Sequence, residues 1–334
     1  LIGATAAAAW APGQQCSTRR AATTTHPGRD NLKNRLRFAT SPCSLRPIDM
    51  TTNFYGRGVL VTGGSQGIGL ALARLLVSKG ARVCIAARDE ARLREVCAKL
   101  TAEFPDQPAP LHVSMDMRDP ASIAKGAAWV RSQMPELDVL VNNAGFCIPG
   151  YFDELTDEDH VALLEVNYLG PVRLIRALAP HFMERRRGTI VNVTSMLGFM
   201  GLFGFGAYAA SKFALAGYSE CLRQDLLPYG VHVMLCYPPT TDTPGLAREN
   251  ERKPREAWAL EGKSKPYTPE QVAAQIVDGI AKKSVTVHFG LENAMIWRAQ
   301  RWIPGVMRTV LDSTLHGLWK KSGTERRTVN KDHG

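Results

Sequence analysis

A chain of 334 residues, 45% hydrophobic and 22% charged, is long enough to bury the core of one large α/β domain or two small ones. It contains no run of 18 uncharged apolar residues, so the sequence shows no obvious membrane-spanning helix. The seven cysteines are scattered without a C-x-x-C pair, which speaks against a disulfide framework or a zinc site and for a reducing compartment.

The net charge of +10 is uneven: residues 1–49 hold seven basic against two acidic side chains, half of the excess. This arm is rich in Ala, Thr, Ser, Pro and Gly and has no hydrophobic periodicity, a composition that suits a disordered arm or a transit peptide. A competing reading is translated upstream sequence, because the chain starts at Leu1 and Met50 directly precedes the folded pattern.

From residue 57 the pattern changes. The apolar run 58–62 ends in T-G-G-S-Q-G-I-G, Thr62 to Gly69, and an amphipathic segment continues to Ser78. Strand, glycine turn and helix in that order let backbone amides and a helix N-terminus approach a pyrophosphate. The spacing of Gly63, Gly67 and Gly69 is a variant of the dinucleotide fingerprint. A second strand, 81–87, ends at Arg88-Asp89. An acidic residue at this point bonds a ribose hydroxyl, whereas arginine accepts a 2′-phosphate, so Arg88 and Arg92 favour NADP(H) over NAD(H). A third strand, 111–115, leads to Asp116, placed to meet the adenine amino group. A helix over 120–134 and a fourth strand, 137–141, ending in Asn142-Asn143-Ala144-Gly145, continue the alternation. Such alternation predicts a doubly wound parallel sheet with its ligand crevice at the strand ends.

Residues 156–187 read as a long helical pattern interrupted by Pro171 and Pro180, with Asn167 inside it. A fifth strand, 188–194, delivers Ser195, and a helix follows to about Tyr229 carrying Tyr208 and Lys212. Four residues apart, these two share a helix face, where an ammonium is expected to draw the phenol pKa down from about 10 towards a useful range. A sixth strand spans 231–237, and Cys84 and Cys236 read as core residues. Residues 285–289 supply a seventh strand.

T-G-G-S-Q-G-I-G, N-N-A-G, Asn167, Ser195 and Y-A-A-S-K together resemble the short-chain dehydrogenase/reductase family over residues 57 to about 290. The resemblance implies a single Rossmann-type α/β domain with about seven parallel strands and helices on both faces. It implies Tyr208 as proton donor, Lys212 as its pKa-lowering partner and ribose ligand, and Ser195 as carbonyl polariser. Asn167 would hold a water of the proton relay. NADPH would rest on Gly63, Ser65, Gln66, Gly67, Ile68, Gly69, Arg88, Arg92, Asp116, Asn143, Tyr208, Lys212, Pro238 and Thr241. No metal is expected.

The family usually has Pro-Gly after the sixth strand, but here the run is Y-P-P-T-T-D-T-P-G, Tyr237 to Gly245. With A-R-E-N-E-R-K-P and T-P-E-Q-V-A further on, it resembles one branch, the 3-ketodihydrosphingosine reductases. That resemblance implies reduction of the ketone of a long-chain sphingoid base at the cytoplasmic face of the endoplasmic reticulum membrane. The apolar loop 196–206 beside Ser195 and Tyr208 suits an alkyl chain, each buried methylene contributing about 0.8 kcal/mol. Residues 291–321 bring tryptophans and basic residues together around Pro304. They read either as an interfacial helix on anionic lipid or as a terminal helix docked on the core or on the partner of a homo-oligomer. The tail 322–334 is polar. Two alternatives stand: the same fold acting on another lipophilic ketone (steroid, retinal or fatty-acyl derived), and a nucleotide-sensing or RNA-binding protein. The last rests on the basic arm alone, because aromatic platforms between basic residues are absent and nucleic acid is not expected.

Overall fold

The structure, a computed structural model, describes residues 54–262 and 265–322. The arm 1–49 and the tail beyond Ser322 lie outside the described residues. Seven parallel strands form one sheet: β1 (Gly58–Thr62), β2 (Arg82–Ala87), β3 (Leu111–Ser114), β4 (Leu137–Asn142), β5 (Gly188–Val193), β6 (Val231–Tyr237) and β7 (Thr286–His288). Their order is β3-β2-β1-β4-β5-β6-β7, all neighbours parallel. The chain reverses direction across the sheet between β1 and β4, and such a switch point opens a crevice at the carboxyl ends of the strands. This is the expected doubly wound α/β sheet.

Side-chain alternation divides the core in two. Val59 and Val61 of β1 face one side, where they pack with α1 (Gly67–Ser78), α2 (Glu90–Glu103) and α9 (Pro269–Ala281). Leu60 faces the other, against α3 (Pro120–Gln133), α5 (Gly170–Glu184) and α6 (Gly206–Leu226). Because both faces are covered, the strands are near-continuous apolar runs. Cys84 and Cys236 are fully buried within these cores, as the sequence suggests.

The stretch 156–187 differs from its sequence reading. The prolines do not break it: Pro171 opens α5, where a missing N–H costs little, and Pro180 stays inside that helix. The interruption is instead a π turn, Glu165–Leu169, between α4 (Asp157–Leu164) and α5. Asn167 sits in this turn and is fully buried.

A buried polar chain fixes α6 on the sheet. Asn142 Nδ2 donates to Asn192 Oδ1 at 2.8 Å, Asn192 Nδ2 donates to Ser219 Oγ at 2.8 Å, and Ser219 Oγ donates to the Leu215 carbonyl at 2.6 Å. After β6 come α7 (Pro244–Arg252) and α8 (Arg255–Glu261); after β7 come α10 (Gly290–Trp302) and α11 (Pro304–Ser322). Pro304 separates the last two, as its lack of an N–H demands. Among the described residues no helix is long and apolar enough to cross a membrane.

Candidate active site

The carboxyl ends of the strands open into a continuous cleft of about 1530 Å³. Its nucleotide end begins at the turn after β1. Gly63 and Gly67 adopt φ of +67° and +54°, conformations that a side chain disfavours. Gly69 is tightly cradled, since a Cβ there would stand 2.2 Å from the Gly63 carbonyl oxygen. Helix α1 has no side-chain cap and no acidic residue in its first turn, whereas α2, α3 and α9 are capped by Asp89, Asp119 and Thr268. Its leading residues Gly67 and Ile68 border the cleft, so their amides are open to an anion there. Thr62 Oγ1 accepts from the amides of Asn143 and Ala144, each at 3.0 Å, which ties the end of β1 to the end of β4.

Arg88 and Arg92 line the cleft beyond this turn. Asp89, the acidic neighbour that competes with them in the sequence, is engaged as the cap of α2, accepting from the Arg92 amide at 3.0 Å. Asp116 also lines the cleft and accepts from the Arg118 amide at 2.9 Å through one carboxylate oxygen. An adenosine 2′-phosphate fits this corner: two guanidiniums face the cleft and the nearest carboxylate is turned to the backbone.

Further along, Ser195 follows β5, and α6 presents Tyr208 and Lys212. Ser195 Oγ accepts from the Leu197 amide at 3.2 Å and lies within hydrogen-bonding reach of the Tyr208 phenol. Lys212 Nζ is 5.7 Å from the Tyr208 ring centroid and donates to the Val193 carbonyl at 3.2 Å. The expected depression of the Tyr208 pKa is not found. Burial pushes it up, the neighbouring Cys147 and Glu249 push it the same way, and Ser195 pulls it back. Burial also lowers Lys212 to about 8. Tyr208 thus holds its proton across the neutral range, the state that a proton donor needs.

Asn167 does not line the cleft. Its Oδ1 accepts from the Phe146 amide at 3.1 Å, and its Nδ2 donates to the Phe146 carbonyl and to Ser211 Oγ, both at 3.0 Å. Its side chain fixes the loop after β4 against α6. Gly69 likewise acts from behind the wall. The other thirteen cofactor positions, Gly63, Ser65, Gln66, Gly67, Ile68, Arg88, Arg92, Asp116, Asn143, Tyr208, Lys212 and the pair Pro238 and Thr241 after β6, all border the same space, as does Ser195.

The sequence reading missed Cys147, Glu249 and Glu261, which also line it. Burial and the Glu249 charge hold the Cys147 thiol well above its ordinary pKa. No spacing rule joins these residues, since they meet only in the fold. No cluster of His, Cys, Asp and Glu suited to a metal ion occurs among the described residues.

The family model described as short chain dehydrogenase matches residues 57–254, and the chain belongs to that family. A curated relative from Danio rerio, 3-dehydrosphinganine reductase, is 39% identical over 245 residues, covering 72% of this chain and 73% of that one. The 3-ketodihydrosphingosine reductase of Bos taurus is 37% identical over 243 residues, with the same coverage. Among solved structures, a short-chain dehydrogenase from Sphingobium yanoikuyae in complex with NADPH is similar with a TM-score of 0.64 and 26% identity, covering 83% of this chain and all of that one.

Proposed function

We propose that this chain reduces the 3-keto group of 3-ketosphinganine to the alcohol, giving sphinganine and consuming one NADPH and one proton. The observation that carries the reading is the course of the cleft. From Ser195 and Tyr208 it continues between apolar walls that include Leu202, Leu260, Ile296, Met307 and Leu311, contributed by four separate segments of the chain. A long alkyl chain fits such walls, each buried methylene adding about 0.8 kcal/mol. Relatives covering most of the chain carry the same activity in their names.

Bound along the glycine turn, NADPH supplies the hydride. The rest falls to the chain's own side chains. Arg88 and Arg92 hold the 2′-phosphate, and the uncapped N-terminus of α1 holds the pyrophosphate. Ser195 orients the carbonyl oxygen towards Tyr208, and the Tyr208 hydroxyl gives that oxygen its proton. Lys212 contributes a buried cation behind the phenol, and Asn167 keeps the loop after β4 in place.

We also infer a membrane-surface position at the endoplasmic reticulum, because a long-chain ketone is delivered from lipid. Its support is the outer surface of α10 and α11. Met295, Trp302, Val306 and Val310 are exposed there, on helices that also carry Arg298, Arg301 and Arg308. Exposed apolar and aromatic groups beside basic ones suit an anionic lipid surface.

The test is turnover by the purified protein, followed by NADPH absorbance and by mass detection of sphinganine. Failure to reduce 3-ketosphinganine, with a steroid or retinoid carbonyl reduced instead, would overturn the substrate reading. Flotation with vesicles containing anionic phospholipid tests the surface assignment; protein remaining at the bottom of the gradient would count against it.

A further inference from the structure

The wall of the cleft formed after β6 carries a charge cluster that the chemistry above leaves unused. Glu249 of α7 lines the cleft together with Tyr208 and Cys147. Its carboxylate is 3.0 Å from Lys253 Nζ, and that same ammonium is 2.8 Å from Glu261. Two carboxylates thus share one cation, which leaves the cluster one negative charge in excess when both are ionised; burial raises the Glu249 carboxyl above its ordinary value and Lys253 opposes that rise. Of the neighbouring cations, Arg252 faces Asp159, Arg255 faces Glu256 and Lys212 is turned to the Val193 carbonyl, while Arg248 and Lys265 border the same cleft. The Lys253 side chain is fully buried and that of Glu249 only 17% exposed, so water screens the excess poorly. The wall therefore offers a poorly screened carboxylate, which calls for a cationic donor.

We propose that Glu249 is the seat of the ammonium group of a 2-amino-3-ketone substrate. The proposal rests on the reading of the substrate as 3-ketosphinganine. In that molecule the nitrogen is two bonds from the carbonyl carbon. With the carbonyl oxygen at Ser195 and Tyr208, the ammonium must meet the wall directly next to the phenol. Glu249 is on that wall, close enough for its charge to oppose loss of the Tyr208 proton. An ammonium seated on Glu249 cancels that opposing charge, so recognition of the amine and release of the proton are coupled. A neutral lipophilic ketone gains neither the charge pair nor this relief, and it must strip water from a carboxylate that only shares Lys253 with Glu261.

The experiment compares 3-ketosphinganine with 1-hydroxyoctadecan-3-one, which lacks only the amino group, in wild-type protein and in Glu249→Gln. The wild type is expected to favour the amino ketone in kcat/KM by about 10- to 100-fold, the worth of one charge-assisted contact. In Glu249→Gln this preference should shrink at least about tenfold, with the loss carried mainly by KM. An unchanged preference in the variant would overturn the proposal. Thermal unfolding and NADPH affinity of the variant report whether its fold is kept. If it fails to fold, the wild-type comparison decides alone, and equal use of both ketones sinks the ammonium seat. Wild-type protein that reduces neither ketone overturns the substrate reading itself, a different outcome from reducing both equally.

Discussion

Lys212 holds its ammonium 5.7 Å from the centroid of the Tyr208 ring and directs it at the Val193 carbonyl, 3.2 Å away. The two side chains share one helix face, as residues four apart must. Yet the lysine does not outweigh the cost of burying a phenolate, so the tyrosine remains a protonated acid. The arrangement suits reduction: the proton is present before the substrate arrives, and the chemistry of the bound ketone draws it off.

Tyr208→Phe keeps the ring and removes the hydroxyl. Reduction should fall by about 10²- to 10⁴-fold, the usual worth of a positioned general acid. NADPH affinity should stay nearly intact, because the glycine turn and the arginine corner are untouched. Turnover measured beside NADPH fluorescence titration checks both; a variant that reduces ketone at the wild-type rate would remove Tyr208 from the mechanism.

Arg88→Ala should weaken NADPH by about 10- to 100-fold and leave NADH nearly unaffected, since only the former carries the phosphate that a charge-assisted contact reads. The expectation depends on Asp89 staying committed to the Arg92 amide as a helix cap. Equal losses for the two cofactors, measured by titration, would rule out the phosphate corner.

Two glycines separate cradle from convenience. Gly69→Ala sets a Cβ 2.2 Å from the Gly63 carbonyl oxygen and 2.7 Å from Asn143 Nδ2. Backbone must shift there, at a cost of about 1–3 kcal/mol in stability and with loss of NADPH binding. Gly217→Ala, in the middle of α6, meets nothing within 4 Å. It should stabilise by about 0.5–1 kcal/mol through helix propensity. Urea unfolding of the pair checks the contrast.

The sheet was legible because each strand is an apolar run ended by a turn signal, and because T-G-G-S-Q-G-I-G follows the first of them. The positions of Tyr208 and Ser195 in the cleft follow from helix spacing and from the strand end that delivers the serine. The π turn at Asn167 was not legible. Its register answers a tertiary demand, the clasp of Asn167 on Phe146 and Ser211, that no local pattern announces. Nor was the sign of the Tyr208 shift, because burial and the Glu249 charge come from segments distant in sequence. Local spacing reports which groups are neighbours on one element; it does not report how much water they lose when the others close over them.

That loss of water gives Lys212 a signature in stability. Its pKa falls from 10.5 in the unfolded chain to about 8 in the folded one, with burial as the leading cause. Between those values the unfolded chain binds the extra proton, so raising the pH through this window stabilises the fold; below about pH 8 both states are charged and the full penalty of the buried ammonium is present. Lys212→Met has no such group. From pH 7 to pH 10 the wild type should therefore gain on the order of 2–3 kcal/mol relative to the variant. The comparison cancels the titration of every other side chain that the two proteins share. Urea unfolding of both at the two pH values is the measurement, and parallel pH profiles would mean that Lys212 is hydrated in the folded protein and not a buried cation.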